Sequence, residues 1–268
     1  MKLKIAAALS LSVALSASAC GGVDDDEGTT DFETSASDDG LTAQAVSGLE
    51  TTDPEAAAQA FVAGADPDSC RTRVKDAVDA HVVHVYLDHC TGRFGRKGHH
   101  VVSGEMLVTF SSSGDGVLHA HHESVTLTID DRPATRVAEA DIVLDGDSRQ
   151  VVWHGETSTT DEDGDDVTRV ADHVVDVDRA TRCAVVNGTA DVQRGDRQIH
   201  ITLEGLTSCD APDGGRYCPT GLIEADVSPR DVHITRTFDG TATAAVEITG
   251  PHGDRTRSIQ LDCTPAGS

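Results

Sequence analysis

The chain has 268 residues, with 21 Lys and Arg against 46 Asp and Glu and a formal net charge of −25. This balance excludes nucleic acid and anionic lipid headgroups as partners recognised by charge, since both require basic surface; divalent cations, a basic partner or plain solubility remain. Only 5 Phe, 2 Tyr and 1 Trp are present, so a core must lean on Val, Ala and Thr, and a carbohydrate-stacking face would have only Trp153, Tyr86 and Tyr217 besides Phe.

Lys2 and Lys4 precede an apolar run, Ile5 to Leu15, that is too short to cross a bilayer as a helix and reads as a signal-peptide core. Ala17-Ser18-Ala19 before Cys20 permits two outcomes. One is cleavage after an A-x-A site to release a soluble protein. The other is a lipobox in which Cys20 is acylated and becomes the first residue, with Ala17 standing where such motifs usually carry Leu or another aliphatic residue. Cysteine parity favours the second: of 7 cysteines, Cys20 would carry lipid, and Cys70, Cys90, Cys183, Cys209, Cys218 and Cys263 would close disulfides with no thiol left over. Residues 1–19 are therefore expected to be signal peptide. Residues 20–52, rich in acids, Thr, Ser and Gly and devoid of Lys and Arg, are expected to be a disordered acidic tether. Residues 53–268 suffice for one large β-rich domain, with a possible subdivision near 180.

Asp53-Pro54-Glu55 ahead of AAAQAFVAGA predicts a short helix, with an acid at the N-cap, Pro at the first helical position and Gly64 near the stop. After Cys70 the helical period gives way to runs of Val, Ile, Thr and Leu between Asp-Gly, Gly-Asp and Pro turns. Alternation is clear on Ala138, Ala140, Ile142 and Leu144, on Ile199, Ile201 and Leu203, on Ala242 to Ile248, and on Ile259, Leu261 and Cys263. One apolar and one polar face per strand is the pattern of an antiparallel sheet with a wet side. The expected fold is all-β, an antiparallel meander or sandwich of about thirteen strands braced by disulfides. The favoured pairing joins neighbours in sequence, Cys70 with Cys90, Cys183 with Cys209 and Cys218 with Cys263; an alternative joins Cys209 to Cys218 and Cys183 to Cys263.

Histidines concentrate between His81 and Ile129. On the strand from Val117 to Ile129, odd positions are expected to share a face, placing His119 and His121 beside Val125, Leu127 and Ile129, with His122 opposite. An H-x-H pair on one strand face is a geometry that zinc and copper sites use, and Glu123 could add an oxygen. Further ligands could come from His84, His89, His99 or His100. Against this stands the plainer reading of His as a polar strand filler. Asp161, Asp163 and Asp165, with Asp172 at position 12, match a calcium loop, but Asp166 stands where such a loop needs Gly, and a hairpin turn explains the run with less. Arg93, Arg96 and Lys97 form a basic spot suited to an acidic partner or to a solvated loop tip. There is no G-x-S-x-G elbow, no zincin motif and no Gly-rich phosphate loop. Asn187-Gly188-Thr189 fits a glycosylation sequon and reads as a turn.

A strand ending DHCTG at Gly92, a Gly-rich turn, a strand opening VSGEMLVTF, a Thr-rich strand pair, the DEDGDD turn and final strands closing on Cys263 together resemble uncharacterised β-rich predicted lipoproteins of myxobacteria and their relatives. The resemblance covers most of residues 70–263. It implies an exported, anchored, all-β protein and brings no catalytic residues. Gly21 lacks the Asp typical of inner-membrane retention, so the resemblance implies the outer membrane, the alternative being a secreted or periplasmic protein. The function expected is a non-enzymatic structural or binding role at the cell envelope. A metal-binding periplasmic protein using His119, His121 and Glu123, with zinc as cofactor, is the alternative; a hydrolase with an unidentified acid pair is the third reading.

Overall fold

The computed structural model describes residues 49–65, 70–93, 99–161, 163–210, 216–261 and 263–265. The expected signal peptide, Cys20, the tether up to residue 48, and Arg96 and Lys97 lie outside these.

Helix α1 (Pro54–Ala63) begins where the sequence places it. Asp53 is extended and its carboxylate accepts the Ala56 N–H at 2.7 Å, Pro54 opens the first turn, and Gly64 closes the last. Thirteen strands follow: β1 (Arg71–Lys75), β2 (Val82–Arg93), β3 (His99–Ser112), β4 (Val117–Ile129), β5 (Arg132–Asp145), β6 (Ser148–Thr160), β7 (Asp166–Asp178), β8 (Cys183–Arg194), β9 (Arg197–Cys209), β10 (Thr220–Ser228), β11 (Val232–Asp239), β12 (Thr243–Thr249) and β13 (Arg255–Gln260). They form one antiparallel sheet in strict chain order, a meander rather than a sandwich, ending at β1 and β13 without closing.

Alternate residues point to an inner face that is buried on strand after strand, although α1 packs mainly on β1, β2 and β3. A flat sheet would leave that face wet, so the sheet must curl over its own apolar side. Two core clusters result. The first gathers Val83, Phe110, Leu118, Ile142 and Trp153 with Phe61 of α1; the second gathers Ile199, Ile201, Ile223, Ile234, Phe238 and Val246. β7 and β8 serve both, Val175 and Ala184 in the first and Ala171 and Ala190 in the second, so the sheet runs unbroken past residue 180.

Segments outside the sheet border both cores. Leu49 is buried in the first cluster, Glu50 pairs with Arg149 and Arg179 near the β6 and β7 ends, and α1 then crosses to β3, where Phe61 meets Phe110 edge-on at 5.7 Å. At the second, residues after β13 turn back beside the start of β10: Cys218 N–H donates to Thr264 O at 2.9 Å and Thr264 N–H to Arg216 O at 2.8 Å. The disulfides join Cys70 to Cys90, Cys183 to Cys209 and Cys218 to Cys263, the pairing of sequence neighbours. The third locks this C-terminal strap. The second links directly opposed residues of β8 and β9.

Bulges set the phase of several strands. In β4 the register shifts between Glu123 and Leu127. The odd positions of this strand therefore do not share one face: His119 and His121 point outward, Leu127 is buried, and Val125 is exposed. One extra residue reverses the alternation, which a count along the sequence cannot reveal. Opposite this irregular stretch Gly104 holds φ at +127°, and a Cβ there would stand 1.6 Å from Thr126 O. Gly104→Ala is expected to destabilise the protein by at least about 2 kcal/mol in urea denaturation, far above an ordinary surface substitution.

The inner face also buries polar groups. His122 on β4 is 1% exposed, edge-on to Trp153 with ring centroids 5.3 Å apart, and neither ring nitrogen has a hydrogen-bond partner among the described residues. Burial, reinforced by the charge of Arg136, pushes its pKa down from 6.5 to about 3. The folded value lies below the unfolded one, so the associated stability is complete above pH 6.5 and is lost as pH falls toward 3. The slope is about 1.4 kcal/mol per pH unit. Urea denaturation at pH 7 and pH 4.5 is expected to differ by roughly 2–3 kcal/mol from this group, and His122→Leu should remove that share. A variant with the wild-type pH profile would place the titration elsewhere.

Candidate functional site on the outer face

Side-chain parity sorts charge as well as polarity. On the strands, every Lys and Arg whose side chain is described has inner-face phase, including Arg73, Arg136, Arg149, Arg197 and Arg236. Apart from Asp88 in the β2 bulge, every strand Asp and Glu points outward. A wet face solvates carboxylates, while arginine can lay its three-carbon stem along an apolar wall.

The outer face is thus of one sign, and its acids are kept apart. In the described registers no carboxylate stands directly opposite another: His, Thr, Val or another neutral residue intervenes. Direct like-charge pairs across strands are destabilising. Two rows alternate histidine with acid. One runs His121, Glu139, His154, Asp172 across β4 to β7. The other runs Asp191, His200, Asp226, His233 across β8 to β11. Each imidazole sets Nδ1 against a carboxylate: His119 on Asp141 at 2.6 Å, His121 on Glu139 at 2.5 Å, His154 on Asp172 at 2.7 Å, His200 on Asp191 at 2.8 Å and His233 on Asp226 at 2.7 Å. That contact fixes the tautomer with Nδ1–H donating and the lone pair on Nε2, which at His119 and His233 meets a hydroxyl.

The sequence-predicted metal set is only partly assembled. His119, His121 and Glu123 share the outer face, but the two rings address opposite ends of β4. His121 Nε2 approaches Glu123 at 3.9 Å, whereas His119 Nε2 turns to Ser113 Oγ in the β3–β4 turn at 3.2 Å. Among the described residues no group of three or more His, Cys, Asp and Glu is placed to hold a metal ion. His89 sits in the β2 bulge on Asp88 at 2.6 Å; His99 and His100 open β3, their side chains outside the described set. The Asp161 carboxylate accepts the Asp163 and Asp165 N–H groups, both at 2.9 Å, and a bond from Arg194, closing the turn between β6 and β7; Asp166 already belongs to β7.

Comparison with protein-family models, curated proteins and solved structures finds no match for this chain.

Two features of this face lay beyond sequence reasoning. The contacts of His119 join Ser113, His119 and Asp141 into a hydroxyl–imidazole–carboxylate chain, open to solvent with Asp141 53% exposed. A related chain, Thr235–His233–Asp226, has its hydroxyl on the same regular strand as its imidazole, at 3.0 Å. The cue was parity: His119 and Asp141 are directly opposed once β4 and β5 are in register. The other feature is His84, whose two nitrogens contact Glu105 at 2.6 Å and Asp76 at 2.8 Å while its ring stacks on Tyr86.

The Glu105 hydrogen bond, then that of Asp76, raises the His84 pKa above 6.5. Asp76 is held down at about 2, first by the Asp79 amide and then by His84. The folded His84 value exceeds the unfolded one, so its contribution is full below pH 6.5 and is lost as pH rises through the raised value. Imidazole NMR titration is expected to show His84 above the ordinary histidine range and Glu105→Gln moving it down; a midpoint insensitive to that change would refute the Glu105 contact as the cause.

Proposed function

We propose that this chain is an exported, lipid-anchored protein of the cell envelope, carried to the outer membrane and serving as a structural or binding platform. The observation that carries the reading is cysteine use. Three disulfides consume six of the 7 cysteines and leave Cys20, behind its apolar leader, as the one available for acylation. Disulfides persist in oxidising compartments, which supports export. Cys20 with two or more acyl chains would anchor the domain stably. The single-sign outer face fits a basic partner presented opposite the membrane, with rate and affinity that fall as salt rises. The myxobacterial lipoprotein resemblance points the same way.

Metabolic labelling with palmitate tests the anchor. The protein is expected to take up label and partition into the detergent phase, and Cys20→Ser should abolish both; an unlabelled wild type would dispose of the anchor while leaving the fold untouched. A metal-binding role is the second reading, favoured by carboxylates that pin Nδ1 on five outer-face histidines and so orient their Nε2 atoms. Dialysis against zinc should then leave bound metal that the paired substitution His119→Ala and His121→Ala removes.

A further inference from the structure

We propose that Ser113, His119 and Asp141 form a nucleophile–base–carboxylate relay that hydrolyses short-chain carboxylic esters at the β3–β4 turn. This adds a chemical activity to the platform role and does not depend on the anchor.

Three elements build the site. Ser113 lies in the tight turn after β3, His119 is the third residue of β4, and Asp141 faces it on β5. Asp141 Oδ1 accepts from His119 Nδ1 at 2.6 Å, which directs the Nε2 lone pair at Ser113 Oγ, 3.2 Å away. Nucleophile, base and orienting carboxylate thus stand in the contact order that activates a hydroxyl. The plain alternative is a solvated polar turn, but the second contact of the His119 ring sets it apart from His121, His154 and His200, which make no hydroxyl contact among the described residues. Gly114 and Gly116 hold φ at +82° and +88° with open space around them. That leaves the turn backbone accessible to a developing oxyanion.

Substrate class follows from the surroundings. Val143, two residues beyond Asp141, and Val152, directly opposite it, are 39% and 44% exposed and offer a shallow apolar strip for a short acyl group. Asp115 and Asp141 disfavour anionic substrates, so neutral or cationic esters fit. In the resting arrangement the Ser113 hydroxyl donates to Asp115 and must swing to His119 before reaction.

In the reaction Ser113 Oγ attacks the ester carbonyl carbon as its proton passes to His119 Nε2. Collapse breaks the carbon–oxygen bond, and the alcohol leaves with that proton. Water then attacks the acyl-serine, giving its proton to Nε2. The second collapse releases the carboxylic acid and returns the proton to Ser113 Oγ. Ser113 and His119 are the catalytic residues; Asp141 acts through His119 as a positioning residue.

Purified protein is treated with a fluorophosphonate reagent and assayed with p-nitrophenyl acetate. The expected result is one equivalent of label on Ser113 by peptide mass spectrometry. Ser113→Ala and His119→Ala should each lower turnover by about 100-fold. Asp141→Asn should cut kcat about tenfold or more with KM unchanged, with partial rescue by Asp141→Glu. Asp115→Ala, which releases the hydroxyl, should raise turnover, and Thr235→Ala should leave it unchanged. All these positions are on the surface, and circular dichroism of each variant checks that the β fold persists. Ser113 left unlabelled, or turnover that survives Ser113→Ala, overturns the proposal.

Discussion

The pleat governs this molecule. With one sheet and one buried side, the phase of each residue decides whether it meets water or the core, and a slip by one position would exchange the two sets wholesale. Arg236, fully buried on β11, would turn outward and the carboxylates of β10 and β12 inward. Because acids and bases lie on opposite sides, register is enforced by charge as well as by hydrophobicity. Bulges in β2 between Leu87 and Cys90, in β4 between Glu123 and Leu127, and in β9 opposite Val186 and Gly188 re-phase strands of twelve or thirteen residues.

The same rule explains how a chain of net charge −25 tolerates its own repulsion. In the described registers the residue directly opposite a carboxylate is neutral, so directly opposed carboxylates are avoided and the rest are screened by water and salt. The interspersed histidines do more than separate charge. Each is pinned through one nitrogen, which converts a flexible ring into an oriented one at little entropic expense. Serine or threonine within reach of the second nitrogen then creates a polar chain from residues that, taken singly, are ordinary strand fillers.

Much of this was legible in the sequence, for identifiable reasons. Asp53, Pro54 and Gly64 act locally, so the helix could be bounded by inspection. Alternation at Ala138 to Leu144 and at Ile199 to Leu203 directly reports one-sided burial. Cysteines adjacent in sequence are adjacent in a meander. What escaped depends on registers between strands. Asp141 lies 22 residues from His119, and only the β4–β5 pairing makes them neighbours. The β4 bulge escaped because an added residue leaves no compositional trace. Trp153 counted in sequence as scarce stacking surface, yet it is the largest fully buried side chain and lies across the small residues Ala138 and Gly155, where a Cβ on Gly155 would come within 2.9 Å of its Nε1.

Strand order equal to chain order has a bearing on assembly. A polypeptide delivered amino end first, from ribosome or translocation channel, always presents next the segment that its last-formed strand requires. No strand waits for a distant mate, and, with Cys20 set aside by acylation as proposed, each sulfur has its partner as its neighbour in cysteine order. Sequential oxidation then yields the native links directly, without shuffling, and an interrupted chain would hold a finished sheet up to the point of interruption.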